Sequence, residues 1–486
     1  MNVLGMIKSV GVSLGLGKLV PKIFSGTVFV GKGFDIWTSG FRYDDIDNNS
    51  KEIGEIRKIG IQEKFRNSHT MISGTTRMGK SVLLGYMAAQ DIKNGNNVVV
   101  IDPKGDQTLF TTLVKAAFDA GREKDLMLVN PIFPKYSAKI DPLAYSYMIE
   151  EKVHHIVSAL DTKDKGDQYF INVAYETCLV IIQALDLLSR YGNYMSIINI
   201  AMVKKYASYE GLAKLREDLR AIRNLSPDKV DEVLNNLSNV LQSPADFFAK
   251  VSSSLRTVLT AMSTGSVGEI IGKANSNEFI QRLEKQKSVI LIVQTGSMLT
   301  RQSAHMIARM SLSMIQSHIA RRLAVGKKCK PGLSIYLDEA ASIMYMGIQQ
   351  LFSQSGQANV KLHVFTQSLA DYAKEIGPDA ARAIMDCTNT KIFFRENDEE
   401  TCKYISDLAG TVTRLDHIIS SSRAFTSRET DKQRIKPEDV GRLREREIFL
   451  FTYEGMFMGR TMSCELPGKN EIIRYPSLEV VDVAKP

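Results

Sequence analysis

Residues 69–95 read HTMISGTTRMGKSVLLGYMAAQDIKNG. Gly74 and Gly79 are separated by four residues and followed by Lys80 and Ser81. They fall where a short apolar run gives way to a helical pattern of Val82, Leu83, Tyr86, Met87 and Ile92 that ends at Gly95. A strand that turns on glycines into a helix brings backbone N–H groups close together. It also points the positive end of the helix dipole at whatever occupies the turn. That is the chemistry of a phosphate-binding loop. Gly74, Thr75, Thr76, Arg77, Met78, Gly79, Lys80 and Ser81 are therefore candidate nucleotide-binding residues. Lys80 is expected on the β- and γ-phosphates of ATP and Ser81 on Mg²⁺. Arg77, inside the loop, is expected to serve a contact between subunits.

The same strand–helix rhythm continues on both sides of a long interruption. NNVVVI is a continuous apolar run, as a strand buried on both faces requires. A helix over LFTTLVKAAFDAGREKD and a strand in LMLVNP follow, which predicts a parallel α/β sheet. Over 150–286 strand patterns vanish and helical periodicity replaces them, with Ser226-Pro227 and Ser243-Pro244 as helix starts. Strands resume at KSVILIVQ, LSIYLDEA, VKLHVFTQS and KIFFREND, and REIFLFTYEGMFMGRTM reads as a closing hairpin at Glu454-Gly455. The polar stretch 415–434 reads as a loop, with Arg423 and Arg428 as pore candidates. Residues 27–60 read as a small β-rich lead-in in which Trp37 packs. The expected division is thus an arm and lead-in (1–60), a nucleotide-binding α/β domain (61–149 and 287–486) and an inserted all-α domain (150–286).

A second cluster completes the chemistry. IYLDEAA ends an apolar strand in two adjacent carboxylates, Asp338 and Glu339. With a phosphate loop upstream, Asp338 is expected to hold Mg²⁺ and Glu339 to polarise the attacking water. Gln367, ending the next strand in VFTQS, is expected to sense the γ-phosphate. Asp102, Lys104 and Asp106 in VIDPKGD fall on the carboxyl edge of a strand, where such sheets bind ligands. Arg395 and Arg382 are candidates for a positive group donated across subunits.

Composition bounds the partners. The 486 residues carry 62 basic and 54 acidic side chains, a net charge of +8. That permits a polyanion without demanding one. Five scattered cysteines show no metal spacing and read as reduced thiols. The N-terminal 24 residues are apolar, but Lys8, Lys18 and Lys22 interrupt them. The uncharged run Ser9–Gly17 is far short of the roughly 20 residues a spanning helix needs, which leaves an interfacial helix or a docking arm.

Taken in order, NSHTMISGTTRMGKSVLLGYMAAQDIKNGNNVVVIDPKGDQTLF, YLDEAASIM, VFTQSLADY, NTKIFFREND and RIKPEDVGRL resemble the TraD/TraG-type coupling proteins of conjugative type IV secretion. These belong to the FtsK/HerA-like branch of RecA-fold motors. The resemblance covers about residues 28–465 and implies a RecA-like P-loop NTPase with a central, mainly parallel sheet plus an inserted all-α domain. It further implies a homohexameric ATPase that moves single-stranded DNA and its attached relaxase toward the secretion channel, with the all-α domain meeting substrate. A cytoplasmic location at the inner-membrane face follows. Two departures stand out. Relatives usually carry N-terminal transmembrane helices, and this sequence shows none, so it is either trimmed or recruited by a membrane partner. Some relatives place a trans-acting arginine about eleven residues before the glutamine; here Gly356 stands there, and Arg395 is the substitute. The alternatives are a HerA-like DNA-processing motor and an ATP-switched platform for secreted proteins.

Overall fold

The computed structural model describes residues 26–37, 55–160, 167–191, 197–221, 227–300, 302–419, 425–464, 471–474 and 479–482. The N-terminal 25 residues, Ser226 and Arg423 lie outside these.

Eleven strands form one sheet. In chain order they are β1 (Thr27–Asp35), β2 (Arg57–Gln62), β3 (Thr70–Ser73), β4 (Asn97–Asp102), β5 (Leu126–Val129), β6 (Ile290–Gln294), β7 (Leu333–Leu337), β8 (Val360–Thr366) and β9 (Thr390–Phe393). After a separate ribbon of β10 (Thr411–Ile419) and β11 (Phe425–Gln433), β12 (Glu447–Thr452) and β13 (Gly455–Thr461) complete it. Their spatial order is β2-β1-β13-β12-β9-β3-β8-β7-β4-β6-β5. From β9 to β5 every neighbouring pair is parallel, and from β12 to β2 every pair is antiparallel. The mainly parallel α/β core read from the sequence is present.

Burial explains the apolar runs. Along β4, Val98 and Val100 face one apolar cluster while Val99 and Ile101 face another. The first cluster also takes Leu83, Leu84, Met87 and Ala88 of helix α1 (Lys80–Lys93), and Leu109 and Leu113 of α2 (Gln107–Asp119). A strand covered on both faces has no polar face, so the usual alternation disappears.

The opposite cluster continues into the helical insertion. Helices α3 (Ile149–Val157), α4 (Asp167–Tyr191), α5 (Ile200–Tyr206), α6 (Tyr209–Arg220), α7 (Pro227–Leu241), α8 (Ala245–Val251), α9 (Ser253–Ser263) and α10 (Glu278–Glu284) lie between β5 and β6. The following helix, α11 (Gln302–Ala324), joins them to the sheet. His155 Nδ1 of α3 meets Ser313 Oγ of α11 at 2.9 Å, and Arg321 of α11 pairs with both Glu151 and Glu284. Apolar α4 is long enough to cross a membrane by length and composition, but here Cys178, Ile181, Ile182 and Leu185 are buried in the helical core.

Three local expectations are corrected. The described strands of the 27–60 lead-in do not stand apart: β1 pairs with β13 and, with β2, extends the main sheet, a partnership made across more than 400 residues and invisible to local pattern. Trp37 is 55 % exposed under the Arg434 guanidinium; the buried anchor is Ile36, whose carbonyl accepts from Arg434 Nη1 at 2.7 Å. The stretch 415–434 read as a loop holds strand instead at Leu415–Ile419 and Phe425–Gln433, parts of the β10–β11 ribbon paired from Thr411↔Gln433 to Ile419↔Phe425. At the described end of the ribbon Thr411, Thr413, Asp431 and Gln433 are exposed on one face and Val412, Thr430 and Lys432 only half-buried on the other, so no fully buried face imprints an apolar period there. A smaller shift occurs at Pro244, which caps α8 and leaves Ser243 one residue outside.

A buried ion pair binds these layers. Arg66, fully buried, donates to both carboxylate oxygens of Asp91 on α1, at 2.7 and 2.5 Å. The Tyr336 hydroxyl of β7 donates to the same carboxylate at 2.5 Å. Opposed by burial, the Arg66 charge still holds the Asp91 carboxyl below its ordinary range. Asp91→Ala is expected to destabilise the protein by about 3–5 kcal/mol, because it leaves a fully buried guanidinium with only the half-exposed Glu63 carboxylate, 3.0 Å away, as counter-charge. Urea unfolding measures the loss, and the Arg66→Met/Asp91→Leu pair is expected to recover most of it.

Candidate active site

All seven parallel strands present their carboxyl ends on one edge. In the sheet order, β3 leads into the phosphate loop, β7 into the paired carboxylates, and β8 lies between them. The loop is shaped by its glycines. Gly74 has φ +158°, and a Cβ there would lie 2.5 Å from the Phe394 Cβ. Gly79, at φ +99°, starts α1. Thr75 N–H donates to the Arg395 carbonyl at 2.8 Å, and the Met78 carbonyl accepts from Arg446 N–H at 3.1 Å. The loop is thus strapped to the segments after β9 and before β12. Thr76 and Arg77 are exposed, and Arg77 has φ +63°, left-handed without being glycine.

Lys80 is buried and donates to the loop carbonyls of Gly74 and, at 2.7 Å, Thr75. Burial lowers its pKa, against the pull of Asp338, Glu396 and Glu339. Ser81 Oγ lies 3.4 Å from Asp338 Oδ2. Asp338 is itself held against β4 by its N–H bond to the Ile101 carbonyl at 2.9 Å. Burial raises the Asp338 pKa. A buried carboxylate beside a serine hydroxyl, both at the mouth of the loop, is a donor set that fits Mg²⁺. Glu339 follows at φ 47°, ψ 43°, which turns its side chain away from the strand direction. Its carboxylate meets Lys104 Nζ at 2.9 Å.

The remaining expected residues spread along the same edge. Gln367 directly follows β8 and is exposed between the β3 and β7 ends. Arg395 is also exposed beyond β9; its contact to the loop is made by its backbone carbonyl. Arg382 is exposed on the helix Pro378–Cys387. Gly356 is closed to any side chain, since a Cβ would lie 2.3 Å from the Asn67 carbonyl oxygen. Asp102 and Asp106 organise backbone: Asp102 is buried and accepts the N–H groups of residues 104–106, and Asp106 caps α2 through Thr108 and Leu109.

Two residues at the site were not singled out from the sequence. Gln294, ending β6, donates to Asp102 at 3.0 Å. Glu396, beyond β9, is buried, and accepts from Ser73, the last residue of β3. Its other oxygen, Oε2, has no hydrogen-bond partner. Burial pushes the Glu396 pKa up to about 8, against the Ser73 hydrogen bond and the Lys80 charge. The REND stretch is polar throughout and looks like an exposed turn in sequence, so no local signal separates buried Glu396 from exposed Arg395 and Asn397.

Comparison with known proteins identifies the family and the fold. The profile of the family "Type IV secretory system Conjugative DNA transfer" matches residues 43–455, most of the chain. The chain belongs to this family. It is 28 % identical over 103 residues to the type 4 coupling protein DotL of Legionella pneumophila subsp. pneumophila, a match spanning 20 % of this chain and only 13 % of that relative. In solved structures it resembles the bacterial conjugative coupling protein TrwBdeltaN70 at a TM-score of 0.64 and 14 % identity, covering 96 % of this chain and 99 % of that one. The plasmid coupling protein TrwB in complex with ADP and Mg²⁺ matches at a TM-score of 0.62, again at 14 % identity, over 96 % of this chain and 100 % of that one. At that identity the likeness establishes the shared fold.

The raised Glu396 pKa has a signed consequence. Unfolded, this carboxyl ionises near 4.5; folded, it keeps its proton to about pH 8. Stability contributed by the protonated form is full below 4.5 and falls as pH rises to 8, by roughly 1.4 kcal/mol per pH unit. Glu396→Gln lacks this loss. Its stability relative to the natural chain is expected to climb between those two pH values and level above them, measured by denaturant unfolding across the range.

Proposed function

We propose that this chain is an ATP-driven DNA translocase of the conjugative coupling type, passing relaxase-bound single-stranded DNA to a type IV secretion channel. The observation that carries the reading is the approach of Ser81 to Asp338 within 3.4 Å, with Lys80 and Glu339 on the same edge. Family membership supplies the DNA-transfer context, and the ADP and Mg²⁺ complex of TrwB supports the ligand pair.

Bound Mg²⁺–ATP supplies a polarised, transferable γ-phosphoryl group, and the chain's own residues do the rest. The loop N–H groups of residues 74–81 and the start of α1 receive phosphate charge. Lys80 exchanges its carbonyl partners for phosphate oxygens. Ser81 and Asp338 hold the cation. Glu339 orients the attacking water and accepts its proton, while Gln367 reads the γ-phosphate from between them. The positive group across a subunit boundary is assigned to exposed Arg395, and exposed Arg77 to the interface itself. The working form is a homohexamer at the cytoplasmic face of the inner membrane, held there through a partner, with residues 150–286 as the inserted unit that meets substrate.

Two sets of measurements test this. Lys80→Ala is expected to abolish nucleotide binding, whereas Glu339→Gln binds ATP and hydrolyses it at least about a hundredfold more slowly. Normal turnover in the second variant removes Glu339 as the base. Single-stranded DNA is expected to stimulate hydrolysis, with the stimulation falling steeply between about 50 and 200 mM salt. Stimulation by a secreted protein and not by DNA would replace the translocase reading with the recruitment platform.

A further inference from the structure

Lys104 stands apart from the residues that the phosphate chemistry uses. Its Nζ lies 2.9 Å from Glu339 Oε1, an ion pair between the end of β4 and the end of β7. The loop that delivers it is braced independently of that pair. Buried Asp102 accepts the N–H groups of Lys104 at 3.0 Å, Gly105 at 3.1 Å and Asp106 at 2.6 Å. Gln294 Nε2 donates to Asp102 Oδ2 and to the Asp106 carbonyl, both at 3.0 Å. The Pro103 carbonyl accepts from Ser297 N–H at 2.7 Å, and Gly105 takes the left-handed turn at φ +79°. Lys104 is thus aimed at Glu339 by a fixed backbone.

Glu339 is held from its own side too. Its backbone sits in the left-handed region, an uncommon and mildly strained state for a residue with a Cβ. A carboxylate oxygen taken by an ammonium group is closed to an incoming water. Lys104 is also near enough to Lys80 for their charges to repel. Both ammonium groups therefore border the gap into which phosphate charge would come.

We propose that Lys104 is a positioning residue that acts through Glu339: it ties up the carboxylate while the site is empty, and arriving phosphate charge draws it off and frees Glu339 for water. This rests on the reading of Glu339 as the base. The pair is half exposed, with side-chain exposures of 43 % and 23 %, so its strength is that of a surface ion pair. That suits a contact that must break at each turnover.

The test is a binding cycle without turnover. Calorimetry measures the affinity of the full chain for a non-hydrolysable ATP analogue with Mg²⁺, in the natural protein, Glu339→Gln, Lys104→Met and the double variant. Glu339→Gln is expected to bind roughly three- to fivefold more tightly than the natural chain, since no pair has to break. In the Lys104→Met background the same change is expected to give no gain. Lys104→Arg, which keeps the charge, is expected to preserve the gain. An equal gain with and without Lys104, or none in either, overturns the proposal. The two readings fail separately: ordinary hydrolysis by Glu339→Gln removes the base assignment, whereas blocked hydrolysis with additive affinities removes only the role of Lys104.

Discussion

Parallel pairing of β3, β8 and β7 is the constraint on which the rest depends. Parallel strands all end on one edge, so the phosphate loop after β3 and the carboxylates after β7 emerge side by side although 257 residues separate Ser81 from Asp338. The register fixes the match further. Ser73 pairs with Thr366 and with Phe393, so the ends of β8 and β9 lie level with the mouth of the loop. Burial of both faces enforces that arrangement, because any slip would move the β4, β7 and β8 side chains out of two tight apolar clusters.

Charge within the edge is organised in two grades. Deep under the site, Arg66, Asp91 and Tyr336 fasten α1 to β7, tying the helix that follows the phosphate loop to the strand that ends just before Asp338. At the edge itself, buried Lys80 rests on loop carbonyls and half-exposed Lys104 on the Glu339 carboxylate. The first grade is buried and held by short hydrogen bonds from Arg66 and Tyr336 to one carboxylate. The second ends in single ammonium contacts, of which the Lys104–Glu339 pair is partly exposed.

Much of this was legible in the sequence for a physical reason. A strand buried on both faces leaves a continuous apolar run, and a phosphate loop needs glycines at fixed spacing, so Gly74 to Ser81 and Asp338-Glu339 announce themselves. Gln367 was placed correctly relative to β8 because the next apolar run fixed the edge. What escaped depends on partners far away in the chain. The pairing of β1 with β13, the burial of Glu396 against Ser73 and the brace from Gln294 to Asp102 have no local signature. The β10–β11 ribbon escaped because it pairs only with itself, and its described end has no fully buried face to leave an apolar period.

The claim at the centre of this account is that Ser81 and Asp338 form one cation site that depends on nucleotide. Electron paramagnetic resonance of Mn²⁺ in place of Mg²⁺ tests it directly, with and without ADP, in the natural chain and in Asp338→Asn. The account predicts tight Mn²⁺ binding only when ADP is present, and its loss or marked weakening in Asp338→Asn with ADP still bound. Mn²⁺ binding that ignores ADP, or that is unchanged in Asp338→Asn, would contradict it.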